Sequence, residues 1–337
     1  MPVPHDLRRI ANRIMTNKAH PITADAAIAV MGGELAARLN VARIVDNLSG
    51  VVFEVGAVAP PLSERRVAAE RSVVLAGVEF VPAAKDARSV GAPSRDHESA
   101  RLFAFEPQSG IAYIPIEGEL VHKYGHLDPY SGLTGYDGIK AKVHAAAEDR
   151  QVKGILYDYD TPGGELFGVK DTAEAIFLAR QAKPSWALIN EMALSAGYWL
   201  ASAAHNVFAP TTADTGSIGV VMMHADWSGK LKDEGVTVTL IHSGARKIDG
   251  HPFGPLPEEV LARFQGEVDN VRTLFASDVA RNRKLSVAAM LDTEADVFTS
   301  VDALAARLID AVASEDEVFE EFAARLARPQ PAALPSA

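Results

Sequence analysis

Residues 152–204 read VKGILYDYDTPGGELFGVKDTAEAIFLARQAKPSWALINEMALSAGYWLASAA. The opening VKGILY, Val152–Tyr157, is a short apolar run of the kind that forms a buried strand. TPGG (Thr161–Gly164) then reads as a tight loop. Val169–Gln181 contains no glycine or proline and reads as a helix. SWALIN (Ser185–Asn190) is a second strand, and Ala196–Ala204 a second helix. Strands alternating with helices at this spacing imply βα units around a largely parallel sheet, so the fold class is α/β.

The alternation extends both ways. IAYIPIEGEL (Ile111–Leu120) reads as a strand and turn, and Gly138–Asp149 as a helix. Val207–Ala209, Ile218–Met223 and Thr237–His242 read as further strands. Pro257–Lys284 is a long helical segment with Val260, Phe264, Val268, Val271 and Phe275 on one face. Glu315–Arg328 is a final helix. Near the start, Leu7, Ile10, Ile14 and Met15 fall at helical spacing, and Thr23 caps a second helix through Leu39. The polar KDARSVGAPSRDHES (Lys85–Ser99) reads as a linker, and PQPAALPSA (Pro329–Ala337) as a disordered tail. The expected organisation is a helical extension and linker over 1–100, an α/β domain over 101–313, and a helix and tail over 314–337. No internal repeat is visible.

Composition removes several chemistries. The net charge of −11 over 337 residues disfavours a nucleic-acid partner, because a phosphate backbone rewards a basic face. The absence of cysteine excludes disulfides, thiol nucleophiles and cysteine-bound zinc. The ten histidines include no HExxH arrangement. No apolar run approaches the roughly 20 residues needed to span a bilayer, and no secretory signal opens the chain. A soluble, cytoplasmic protein with no membrane partner and no cofactor is expected.

Three segments sit where strands end, which is where α/β sheets assemble their sites. The first is Asp160-Thr161-Pro162-Gly163-Gly164, whose paired glycines allow close backbone approach and can aim N–H groups at a developing oxyanion. The second is MALSAGYW (Met192–Trp199), where Ser195 precedes a helix among the small residues Ala193, Ala196 and Gly197. The third is TGSIGV (Thr215–Val220), followed later by HSGARKIDG (His242–Gly250). Taken singly, each has a plainer reading: a turn, a helix-capping serine, a solvated surface lysine. For Lys247 to act as a base it must be neutral near pH 7, which requires burial among apolar groups to bring its pKa down from about 10.4.

Together, TPGG, MALSAGYW, TGSIGV and SGARK resemble, in order and spacing, the signal peptide peptidase A family of serine peptidases. The resemblance covers about residues 110–313, with Ser217 lying 22 residues and Lys247 52 residues beyond Ser195. SGLTGYDGI (Ser131–Ile139), KIDGHPFGPLPEE (Lys247–Glu259) and FASDVARNRKLS (Phe275–Ser286) resemble its phage branch, the capsid assembly or head maturation proteases. The resemblance implies a ClpP/crotonase-like superhelix of ββα units, here with a helical N-terminal extension. It implies Ser195 as nucleophile, Lys247 as general base, Ser217 as the hydroxyl that positions the lysine, and the N–H groups of Gly164 and Ala196 as the oxyanion hole. It also implies a capsid or scaffold precursor as substrate and a homo-oligomeric ring in which the dyad meets across a protomer boundary. Arg307-Leu308-Ile309-Asp310 departs from the family's Gly-Leu-Val-Asp-like stretch by lacking the glycine.

Other readings remain open. A Ser–His–Asp site could draw on His205, His224, His242 or His251 with Asp214 or Asp249. A crotonase-like acyl-CoA site has no basic phosphate site or paired glutamates beside TPGG to support it. A cellular-type peptidase, or a catalytically silent virion scaffolding protein, completes the set.

Overall fold

The computed structural model describes residues 74–80, 101–130 and 132–328. The helices expected within 1–50, the linker over 85–99 and the tail over 329–337 lie outside the described residues. The described chain forms two compact units, one of residues 74–218 with 278–328 and one of residues 219–277.

The larger unit is built on a nine-stranded sheet. Its centre is β4 (Ile111–Val121), β6 (Gly154–Gly164) and β7 (Ser185–Leu194), all parallel. A strand–strand–helix unit opens it: β4, then the short β5 (Leu133–Gly135) pairing parallel to β4, then α1 (Tyr136–Glu148). Strand–helix units follow, β6 with α2 (Val169–Ala182) and β7 with α3 (Ala196–Ala201). β7 then serves two neighbours on its far side. Its first half pairs with β8 (Asn206–Ala209) and its last residues with β9 (Asp214–Gly216), both parallel. Antiparallel strands close the path, β3 (Ala104–Glu106) on β4 and β10 (Val297–Thr299) on β9. The α/β class and the parallel centre are as expected.

Two strands run longer than their apolar runs. β6 continues through TPGG to Gly164 because its ladder to β4 persists to Leu120↔Gly164. β7 continues to Leu194 because Thr161 pairs with Ala193. The glycine pair is thus the end of a strand and not a loop beyond it.

One face of the sheet carries a hydrophobic cluster that includes Tyr113, Leu156, Trp186 and Phe208. The terminal helix α8 (Glu315–Ala327) packs Phe319 and Phe322 into it, with Phe322 and Trp186 rings stacked at 4.6 Å. Burying each such aromatic contributes roughly 2–3 kcal/mol. Helix α8 starts where the sequence dictates. Ser314 and Glu317 form a reciprocal capping box, which satisfies two otherwise orphaned N–H groups. At the edge of this apolar layer sits Asp158 of β6, 7% exposed. The Tyr113 hydroxyl donates to its Oδ2, while its Oδ1 has no partner among the described residues. Burial, reinforced by Glu315, Glu117 and Asp160 and opposed by the Tyr113 bond, pushes its carboxyl up to about 7.

The smaller unit holds α4 (Ser228–Asp233) and the first turns of the long helix α5 (Glu258–Arg283). The strands expected over Ile218–Met223 and Thr237–His242 are absent: neither segment pairs with another strand among the described residues. Their apolar residues read as strand, but a strand needs a partner edge. Here Val221, Val238 and Ile241 are exposed, Ile241 at 96%.

Candidate active site

Parallel strands β7 and β9 end together. The register Leu194↔Gly216 closes the ladder, and the Ser195 N–H donates to the Gly216 carbonyl at 2.9 Å. Ser195 and Ser217 are therefore the next residues along two neighbouring strands, which run about 4.8 Å apart. Both leave the sheet with left-handed backbone, φ 51° at Ser195 and 54° at Ser217. For a residue with a Cβ this costs on the order of 1 kcal/mol and persists only where the surroundings enforce it. The enforcing contacts are backbone bonds: Ser195 N–H to Gly216, and Ser217 N–H to the Asp296 carbonyl at 2.8 Å.

Ser195 occupies the N-cap position of α3, yet its side chain makes no capping bond. Three other hydroxyl caps among the described residues do: Ser286 accepts from Ala289, Thr299 from Asp302 and Ser314 from Glu317. The plain capping reading of Ser195 therefore fails. Its half-buried hydroxyl is left without a hydrogen bond among the described residues, at the mouth of the sheet. The Ala196 N–H, first of the helix, has no intrahelical acceptor.

The end of β6 is fitted against this turn. A Cβ on Gly163, whose φ is +106°, would stand 2.8 Å from Ser195 Cβ and 3.1 Å from the Ala196 nitrogen. Only glycine allows so close an approach with that backbone. Thr161 fixes the segment from within: its hydroxyl donates to the Gly118 carbonyl at 2.5 Å and accepts the Gly163 N–H at 3.1 Å. A Cβ on Gly197 would in turn meet the Thr161 methyl at 2.5 Å, so the glycine lets α3 lie directly on β6. A Cβ on Gly164 would meet the Leu120 carbonyl oxygen at 2.0 Å, so this position too accepts only glycine. The structure thus gathers Ser195, Ala196, Ser217 and the Gly163–Gly164 pair at one end of the larger unit. Sequence reading gave roles to Ser195, Ala196, Ser217 and Gly164 and singled out the paired glycines that include Gly163, but it gave no role to Thr161 and did not name Asp296. A supporting hydroxyl inside a strand end and a carbonyl contributed from a distant turn leave no local signal.

Lys247 belongs to the smaller unit. It lies in the turn over residues 244–250, where its N–H donates to the Gly244 carbonyl at 3.1 Å. Its side chain is exposed and makes no ion pair or hydrogen bond among the described residues. Nearby, Asp249 is held by Arg263, and Gly250 lies against the Phe264 ring.

The histidines have other occupations. His205, the candidate in the larger unit, sits at the opposite end of β7 from Ser195, where its Nδ1 accepts the Ser185 N–H at 3.2 Å. His224 and His251 are joined by a 3.0 Å bond from the His224 ring to the His251 carbonyl, and His242 contacts the Gly244 carbonyl. Among the described residues no cluster of three histidine, aspartate or glutamate side chains could hold a metal ion. None of their helices is long and apolar enough to cross a membrane.

Comparison with known proteins adds the following. Residues 178–328 match Peptidase family S49. The chain is 43% identical over 237 residues to capsid assembly protease C of Escherichia phage lambda, covering 70% of this chain and 54% of that protein. It is 44% identical over 218 residues to head-tail preconnector protein GP5 of Enterobacteria phage P21, covering 65% of this chain and 44% of that one. The chain therefore spans about half the length of these curated relatives. Among solved structures it is similar to a membrane protease specific for a stomatin homolog from Pyrococcus horikoshii, at 16% identity. That likeness covers 63% of this chain and 77% of that one, with a TM-score of 0.38, too loose to add to the topology described above. The segment that matches Peptidase family S49, residues 178–328, contains the Ser195 turn, Ser217 and Lys247.

Proposed function

We infer that this chain is a serine endopeptidase acting through a Ser195–Lys247 dyad on capsid or scaffold precursors of a phage. The observation that carries this is the Ser195 turn. It is a strained serine at a helix start that does not cap its helix, pressed against Gly163 and beside Ser217. A structural serine has no need of that strain. The substrate class is supported by the likeness to a protein named as a capsid assembly protease.

In the reaction, Ser195 Oγ bonds to the scissile carbonyl carbon as its proton passes to a neutral Lys247 Nζ. The tetrahedral oxyanion is held by the N–H groups of Ala196 and Gly164, preorganised donors each typically worth ~10²–10³ in rate. Collapse breaks the C–N bond, and the lysine gives its proton to the departing amine. Water, deprotonated by the lysine, then cleaves the acyl-enzyme and restores Ser195. Ser217 orients the amine. Lys247 is exposed in its own unit, so assembly into a homo-oligomer is the step that removes it from water and brings it to Ser195.

The test is co-expression of wild type and Ser195→Ala with the cognate capsid and scaffold proteins, followed by mapping of new termini by mass spectrometry. New termini with wild type alone support the reading. Identical processing by the two proteins would overturn it.

A further inference from the structure

At the end of the sheet opposite Ser195 the larger unit has a cleft of about 210 Å³. Taking ~30 Å³ as the share of one water, it has room for a small ion and several waters. It opens beside the first residues of β7 and β8, roughly 30 Å along β7 from the nucleophile at ~3.3 Å per residue. Its wall carries Arg180 from the end of α2, Lys183, His205 and Arg325 from the last turn of α8, with Asn206 beside them.

These cations are placed but not neutralised. Arg180 Nη1 donates to the carbonyls of Ala203 and Ala204, at 3.3 and 3.1 Å, and its guanidinium lies over the Phe177 ring. Lys183 Nζ donates to the carbonyls of Asp149 and Val152. Neutral carbonyls fix both side chains and leave their charge unanswered. Arg325 has no carboxylate partner among the described residues. The carboxylate that Lys183 senses, Asp149, is already bonded to Arg101 at 2.8 Å. Arg281 and Arg283, which also act on Arg180, are answered by Glu174 and Asp310.

His205 points the same way. Its Nδ1 accepts the Ser185 N–H, so in the neutral ring the proton is on Nε2, a further donor. Burial first, and then Arg180 and Arg325, hold its pKa below the usual value, as expected where like charges converge. A chain of net charge −11 has no electrostatic reason to gather three uncompensated cations and a histidine N–H into one concavity unless an anion answers them. The guanidinium forks of Arg180 and Arg325 suit phosphate and carboxylate oxygens, and Lys183 adds a point charge.

We propose that this cleft binds a small oxyanion, a phosphate or carboxylate group, at a site separate from the peptidase centre. Binding makes no use of Ser195 and needs no turnover, so the site stands or falls independently of the proposed reaction. The test is titration of the full chain with inorganic phosphate and, separately, with acetate, by calorimetry at constant ionic strength in chloride. Wild type is compared with Arg325→Gln, which breaks no hydrogen bond within the described chain, and with Lys232→Gln as a control for general charge. Saturable one-site binding to wild type is expected. Affinity falls about tenfold or more in Arg325→Gln and is unchanged in Lys232→Gln, since a hydrogen bond to a charged group is worth at least one decade. Phosphate binding without acetate binding identifies a phosphate ligand, and binding of both identifies a general oxyanion site. Absence of saturable binding to wild type, or equal losses in the two variants, would overturn the proposal.

Discussion

Ser195 and Ser217 occupy equivalent places on adjacent parallel strands, each one residue past the paired Leu194 and Gly216, and both carry left-handed backbone. The bond from Ser195 N–H to the Gly216 carbonyl locks that equivalence. Two hydroxyls presented side by side by backbone hydrogen bonding are a rigid device, because neither can drift without unzipping a strand end.

The first consequence concerns Ser217→Ala. Loss of a hydroxyl that orients an amine should lower kcat by about 10- to 100-fold, the value of one hydrogen bond to a charged or reacting group. KM should change little, because in the proposed reaction the hydroxyl acts on the lysine and not on the substrate. Steady-state kinetics on a processed peptide would check this split. The melting temperature should stay within a few degrees, because the bond that fixes Ser217 is made by its backbone N–H.

Gly163→Ala should be far more damaging than its size suggests. The new methyl would stand 2.8 Å from Ser195 Cβ and 2.9 Å from the Leu194 carbonyl, with backbone at φ +106°. Overpacking and conformational strain together should cost about 1–3 kcal/mol of stability, and kcat should fall ~10²-fold or more as the nucleophile is displaced. Gly229→Ala, where no atom lies within 4 Å, should leave both unchanged. Thermal melts and kinetics on the two variants make the comparison.

Asp158 makes stability depend on pH in a defined direction. Its carboxyl titrates at about 7 in the folded chain against 3.8 unfolded. Between those values the folded state holds a proton that the unfolded state has released. Stability from this group is therefore fully present below about pH 4, falls as pH rises towards 7, and stays low above it. Asp158→Asn keeps an acceptor for the Tyr113 hydroxyl and removes the titration. Its unfolding free energy should exceed that of wild type at pH 8, by an amount on the order of a few kcal/mol, and the difference should shrink at pH 5. Parallel pH profiles for the two proteins would contradict this.

Phe322→Ala tests the layer beneath α8. The ring is fully buried against Trp186, and truncation should destabilise by about 3–5 kcal/mol. Chemical denaturation would read the loss.

Much of this was legible in the sequence because local and global signals agree. The run from Val152 to Ala201 alternates strand and helix, and α2, α5 and α8 begin and end within a residue or two of where periodicity and caps place them. What failed was pairing. TPGG looked like a loop because glycine and proline break strands locally, yet the ladders to Leu120 and Ala193 carry β6 through it. Ile218–Met223 and Thr237–His242 looked like strands because their side chains are apolar, yet no partner edge meets them among the described residues. The two-residue strands Val74–Leu75, Val78–Glu79 and Ala311–Val312 are too short to leave any periodic trace. In the site, the turn at Ser195 was marked by the small residues around it. The carbonyl of Asp296 that holds Ser217 comes from 79 positions further along the chain, and no local pattern announces it.

The most direct test of the central idea is labelling of the intact protein with an alkyl fluorophosphonate, followed by peptide mapping. An activated serine displaces fluoride and keeps the phosphonyl group. One adduct is expected, on the peptide that contains Ser195, and its formation is lost in Lys247→Ala. An adduct confined to another residue, or Ser195 labelled equally fast without Lys247, would contradict it.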